Sequence, residues 1–345
     1  MRRSLRTALL PAVLTVLAVV AQYVPAVFLR GGTVPSWLPT GGSPAVTVPI
    51  YRELVVTIGT LAVLAGAFAL GYREARHHDV SRTYLRYAAV VCSAGAAVLF
   101  LIFGALFVTS GSDTSGSVTV ALTVATLLVS IPGVLTVSAL AGVAFATTPM
   151  DDAGQSLGTR TLVALGLGAA LVTGVARGFE SATDVLLATH DAPGIPESLP
   201  QFGTIGTTVL TYIQVGRLAA DLLLIGGGLA LGYLAVRRAA LVSPSRRFVG
   251  SVGLGALSGL SAVLVPATLV VATAEPGRGL SYLVGSIPGA VASSALVATL
   301  AAIAGLGVAR FESANARTGE RGDTDFPDAE AVTETPVSEG SIRDH

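Results

Sequence analysis

The chain has 345 residues, 52% of them hydrophobic and only 12% charged, and its 21 basic and 21 acidic side chains cancel to a formal net charge of zero. That is about half the charge share of a soluble domain, and a chain this apolar could not hide its surface from water, so a soluble enzyme or a nucleic-acid-binding protein is excluded. The single cysteine, Cys92, rules out a disulfide framework or a cysteine-based metal site within one chain. Its apolar surroundings predict a small buried side chain.

A helix needs about 20 mostly apolar residues to cross the hydrocarbon layer of a bilayer. Runs of that kind cover residues 7–29, 53–72, 85–109, 118–146, 161–179, 209–236, 249–274 and 282–309. They are apolar on all sides, which predicts an all-α integral membrane protein with eight transmembrane helices. The first run follows a basic start, as in a signal peptide, but no good small-x-small cleavage site follows it, so it is expected to stay in the mature protein. Arg73, Arg76 and Arg82 lie between the second and third runs with Arg86 at the start of the third, and Arg237, Arg238, Arg246 and Arg247 lie between the sixth and seventh. Arginine-rich loops stay on the cytoplasmic side. With eight spans, Arg2, Arg3, Arg6 and Arg310 fall on the same side, so both termini are predicted to be cytoplasmic. From 311 to 345, Pro, Asp, Glu, Ser and Thr replace the apolar residues, and this acidic tail is predicted to be disordered.

The apolar pattern occurs twice. Ala69-Leu70-Gly71-Tyr72 returns as Ala230-Leu231-Gly232-Tyr233, displaced by 161 residues, and the same register pairs Pro35 with Pro196, Tyr51 with Tyr212, Arg76 with Arg237 and Arg86 with Arg247. Ser130-Ile131-Pro132-Gly133 recurs as Ser286-Ile287-Pro288-Gly289, displaced by 156, which places a loss of five residues in the short loop before the last run. An internal duplication is expected, with a first four-helix unit at 1–149 and a second at 150–310. Four spans per unit is an even number, so both units enter the membrane in the same direction as parallel repeats.

Every strongly basic residue is Arg and none is Lys, while the tail is acidic. This usage resembles that of uncharacterised multi-pass membrane proteins of extreme halophiles, a resemblance of composition that implies no activity. The multi-pass chain is expected to reside in the cell membrane.

Gly228 and Gly232, Gly255 and Gly259, and Gly285 and Gly289 stand four apart, on one helix face each, and mark close helix contacts. Gly166–Gly168 and Gly253–Gly255 do not read as nucleotide loops, because no strand precedes them. Pro132 and Pro288 each remove a backbone donor inside an apolar run. Together with Ser130, Gly133, Ser286 and Gly289 they mark two candidate helix breaks, read either as packing kinks or as the lining of a site.

One charge cluster lacks a counterpart in the first half. Arg177, Glu180 and Asp184 follow at helical spacing at the outer end of the fifth run, and Arg217 and Asp221 stand four apart in the sixth, where the first half has Val16, Val19, Tyr23, Val56 and Thr60. Charges in a bilayer cost about 2.5–3.5 kcal/mol at a helix centre and less near the interface, so mutual pairing is expected: Arg177 with Asp221 and Arg217 with Glu180. The alternative is an i, i+4 pair of Arg217 with Asp221. His77-His78-Asp79 lies among arginines, which repel a cation, and is expected to be a solvated loop; His190-Asp191 could join the charge cluster as a proton acceptor. No cofactor, metal or catalytic set is expected. Three functional readings stand: a permease-like protein with a site between the units, taking a small anionic solute; a non-transporting scaffold that contacts lipid headgroups or a partner; and a lipid-modifying membrane enzyme, for which nothing else lines up as a reaction site.

Overall fold

The computed structural model describes residues 9–20, 44–77, 84–110, 117–147, 158–189, 200–201, 204–239, 244–274, 287 and 289–323. Every regular element among them is helical: α1 (Leu9–Val20), α2 (Pro44–His77), α3 (Tyr84–Ser110), α4 (Ser117–Thr147), α5 (Thr159–Thr189), α6 (Ile205–Ala239), α7 (Arg246–Ala274), and a π-helical turn (Val291–Leu296) leading into α8 (Val297–Asp323). Among the described residues, six stretches are long and apolar enough to cross a membrane: Glu53–His77, Thr123–Thr147, Thr159–Ala182, Ile205–Arg238, Arg246–Val270 and Val291–Glu312. Where the first and third spans were expected, the structure has α1 and α3, with apolar stretches at Leu9–Val20 and Arg86–Ile102.

Local chemistry sets several helix starts. The Thr204 hydroxyl accepts the amide of Thr207, and the Ser245 hydroxyl accepts that of Phe248, each satisfying a first-turn donor that has no partner inside the helix. Helix α8 passes the boundary at 311 expected for the tail. Phe311 is buried, its ring 4.7 Å from that of Tyr84, and Glu312 accepts a hydrogen bond from Tyr233, so packing carries the helix on to Asp323.

Contacts along the helices give their directions. Helices α4 and α6 meet at Thr126 with Gln214, Ser130 with Asp221 and Gly133 with Ile225, rising together, and are parallel. Helices α5 and α6 meet at Phe179 with Gly216, Val172 with Gly227 and Gly168 with Leu231, and are antiparallel. By the order of their contacts, α6 and α8 are likewise parallel, α5 and α7 parallel, and α3 antiparallel to α4. Helices α4 and α8 form the centre, with two thirds of their apolar windows buried against about 30–40% in the others. Ala301, Ala302, Ala304 and Ala309 are fully enclosed there, while Leu101, Leu171, Leu254 and Leu167 stand out on the periphery. Small side chains within and large apolar ones outside is the distribution expected of helices packed in lipid, where close approach and dispersion replace hydrophobic burial. Cys92 belongs to the exposed set, not to the core as expected: its turn of α3 faces outward.

Two helix crossings share one geometry. A Cβ on Gly71 would stand 1.8 Å from the carbonyl oxygen of Ala139, and one on Gly142 2.1 Å from that of Phe68; a Cβ on Gly232 would stand 1.8 Å from the carbonyl oxygen of Ala302, and one on Gly305 2.1 Å from that of Leu229. Both crossings are reciprocal, each helix supplying a glycine on which the other's backbone rests. At their basic ends, the guanidinium of Arg76 lies 4.7 Å over the Tyr72 ring and that of Arg237 5.3 Å over the Tyr233 ring. The crossings relate α2 to α6 by 161 residues, from Gly71 to Gly232, and α4 to α8 by 163, from Gly142 to Gly305. The displacement of 156 between the two Ser-Ile-Pro-Gly motifs is seven residues out of that register, about two turns. The residue corresponding to Ser130 is therefore Ser293 in the π turn. Pro288, Ser286 and Gly285 lie outside the described residues, and Pro266, inside α7, is a further proline within a helix that has no place in the repeated pattern.

Candidate functional site between the two halves

Asp221 stands near the middle of α6, whose 35 residues exceed what the bilayer core requires. From Arg237 to Asp221 is 16 residues, about 24 Å at 1.5 Å per residue, so with Arg237 at one face the carboxylate lies inside the opposite leaflet. The hydroxyl of Ser130, on α4, donates a short hydrogen bond to Asp221 Oδ2. One turn earlier, the hydroxyl of Thr126 donates to the carbonyl oxygen of Gln214 at 3.2 Å. The contact between α4 and α6 is thus a polar seam between segments that the sequence places in different halves.

The expected pairing of the charges is not the one formed. Arg177 pairs with Glu180 on its own helix, and Asp221 takes its hydrogen bond from Ser130. The antiparallel contact of α5 with α6 puts Glu180 at the height of Arg217 and Asp221 at the height of Arg177. Glu180 and Arg217 both lie within electrostatic reach of Asp221, but Arg217 is exposed and, among the described residues, forms no ion pair with Asp221 or Glu180. The reason is angular. Arg177 continues the stripe of Gly166, Ala170 and Thr173 by which α5 meets α7, so its side chain starts away from α6, and Glu180, one turn on, is the carboxylate in reach. Arg177 is 9% exposed, and its Nε has no acceptor among the described residues. Asp184 lies in α5 with its side chain outside the described residues, as do His190 and Asp191 altogether.

Pro132 sits within α4 without ending it, and the Thr136 hydroxyl bonds back to the Pro132 carbonyl at 2.6 Å. Ser130, which marked the candidate break with Pro132, donates its hydroxyl to Asp221. Pro132 and Gly133 still serve the seam, because the Ile225 side chain of α6 would run into a Cβ on Gly133 at 2.7 Å. His77 bonds the Arg73 carbonyl at 2.8 Å on an exposed helix end; His78 and Asp79 lie outside the described residues.

Two residues that matter here do not stand out in the sequence. The hydroxyl of Tyr84 is buried and bridges the carbonyls of Leu140 at 3.2 Å and Ala304 at 3.1 Å, tying α4 to α8. Its counterpart in the 161 register is Ser245, so a search for repeated residues passes over it. Glu53 is a lone carboxylate at the start of an apolar run, a signal present in the sequence but eclipsed by the denser cluster of the second half. No protein-family profile, curated protein or solved structure matches this chain.

Proposed function

We propose that this chain is a permease-like membrane protein with its site at the contact of α4 with α6, between two four-helix units that arose by duplication. The observation that carries this reading is the Ser130–Asp221 hydrogen bond, which sets an ionisable carboxylate between the units, where a side chain of that kind is costly and marks a solute or proton path. The placement of the tight contacts supports it. Both interlocked glycine crossings lie within a unit, α2 with α4 and α6 with α8, and make each unit stiff, whereas the Thr126–Gln214 and Ser130–Asp221 contacts lie between units, where rocking would open them. The shared crossing geometry and the paired Arg76–Tyr72 and Arg237–Tyr233 contacts support the duplication. On this reading eight helices span the cell membrane, the arginine-rich ends and both termini are cytoplasmic, and Arg177 and Arg217 draw a small anionic solute toward Asp221, which gains and loses a proton as the units rock.

The test is proton movement in vesicles holding the purified full-length chain and an internal pH dye, challenged with inorganic phosphate, sulfate and short carboxylates. At least one anion should carry protons inward with the wild-type chain and none with Asp221→Asn, whose amide keeps a bond to Ser130. Equal proton movement in the variant would exclude Asp221 from the path. A second reading, a non-transporting scaffold, draws on the Tyr84 bridge that fastens α4 to α8. Proton movement with no anion, by a chain that inserts and stays monodisperse, would favour it.

A further inference from the structure

The seam between α4 and α6 has a partner on the other side of the central helix pair, where α2 packs on the π turn that precedes α8. In the registers set by the glycine crossings, Gly289 corresponds to Thr126 and Glu53 to Gln214, and these residues again meet. A methyl group placed on Gly289 would stand 3.2 Å from Glu53 Oε2 and 3.5 Å from Thr57 Oγ1. Both oxygens therefore face the small space beside the Gly289 Cα. Glu53 and Thr57 are four apart on α2, which puts them on a single face.

Thr57 is 8% exposed, and among the described residues its Oγ1 has no hydrogen-bond partner; a buried hydroxyl left unpaired is costly. Among the described residues Glu53 forms no ion pair. The facing backbone is a six-residue π turn, Val291–Leu296, of the kind found at functional sites, where the wider turn leaves carbonyl oxygens short of amide donors. The Ser293 hydroxyl bonds the Gly289 carbonyl at 2.7 Å and holds the start of that turn in place. The other seam fills the same place with neutral groups, the Thr126 hydroxyl already donating to the Gln214 carbonyl.

We infer that Glu53, Thr57 and the backbone about Gly289 form a binding site for a small alkali-metal cation. The donors are all hard oxygens, which select such ions over transition metals. One carboxylate balances one positive charge, whereas divalent sites gather several carboxylates, and among the described residues no three His, Cys, Asp or Glu side chains come together. The ion supplies what the described residues of the seam lack: a charge partner for Glu53 and an acceptor for the Thr57 lone pair. Paired carbonyl and carboxylate oxygens at an irregular turn are how membrane proteins hold a coupling ion, but the site is independent of whether the chain transports anything.

The experiment is thermal unfolding of the full-length protein in detergent, with sodium chloride or potassium chloride exchanged for choline chloride at constant ionic strength. One of the two metal ions should raise the midpoint by several degrees in a saturable way, by the linkage between binding and stability. Glu53→Gln should abolish the rise, and Thr57→Val should shift its half-point at least tenfold. Asp221→Asn should leave it unchanged, which separates this site from the proton path proposed above. Equal midpoints in sodium, potassium and choline, or a saturable rise that survives in a folded Glu53→Gln variant, would overturn the assignment. Should Glu53→Gln fail to fold, equilibrium binding of radioactive sodium and of radioactive rubidium, standing in for potassium, to immobilised wild-type protein decides the question: binding of either in excess over a choline control supports the site, and none removes it.

Discussion

Ser130 and Asp221 are 91 residues apart and share one hydrogen bond across the contact of α4 with α6. The hydroxyl can donate to one group only, so its commitment to Asp221 leaves none for the backbone around Pro132. Replacing Ser130 with Ala should therefore act on the carboxylate rather than on the kink. A loss of about 1 kcal/mol is expected, the scale of interhelical hydrogen bonds in membranes, together with a changed pH dependence of any proton movement. Thermal unfolding and the vesicle assay, run on Ser130→Ala and Ser130→Thr, measure both; Thr should restore them.

Gly71 and Gly232 should be intolerant of a single methyl group. With 1.8 Å to a backbone oxygen in each case, Gly71→Ala and Gly232→Ala must part the helices, at a cost of about 1–3 kcal/mol or more. Gly226, with nothing within 4 Å of an added Cβ, is the control, and Gly226→Ala should leave stability within about 0.5 kcal/mol. Monodispersity after heating separates the two outcomes.

Arg177 and Glu180 should show strong coupling in a double-mutant cycle. Glu180→Gln strands a guanidinium that is 10% exposed, whereas Arg177→Gln strands a carboxylate that is 30% exposed. The first is expected to cost more, within the range of about 3–5 kcal/mol seen when one member of a buried pair is lost, and the double neutral variant should recover much of it. Additive losses would mean that the two groups act independently.

Tyr84→Phe removes the hydroxyl that bridges Leu140 and Ala304 and leaves the ring packed on Phe311. It should lower the unfolding midpoint by the equivalent of about 1–2 kcal/mol. On the permease reading it should also loosen the join between units and alter turnover of whichever anion the wild type moves. Unchanged stability would mean that water replaces the hydroxyl.

Sidedness is open to labelling because the chain has one cysteine. In a Cys92→Ala background, cysteines introduced at Arg76 and Arg238 should react with an impermeant reagent from the same side of the membrane, and one at Thr204 from the other. Labelling of Arg76→Cys and Arg238→Cys from opposite sides would break the parallel arrangement of the two units.

The chain by itself determines that it is helical and membrane-bound, because long runs without charge have no other stable place and backbone groups in lipid must bond within their own helix. It also determines where close contacts fall, since Gly71, Gly232, Gly255 and Gly259 are glycines for want of room. What tertiary structure decides is which polar groups meet. Arg177 and Asp221 carry opposite charges wherever the chain puts them, yet Arg177 points along the α5–α7 stripe and Asp221 along the α4–α6 seam, and the faces fixed by packing outweigh the attraction because rigid helices cannot turn one side chain without turning all. The register of α8 is hidden for a related reason. The eye follows the rare Ser-Ile-Pro-Gly letters, whereas packing follows Gly142 and Gly305, whose backbones touch their neighbours. The π turn lies between those two alignments, and with it the pairing of Glu53 and Thr57 with Gly289, which no spacing in a linear chain displays.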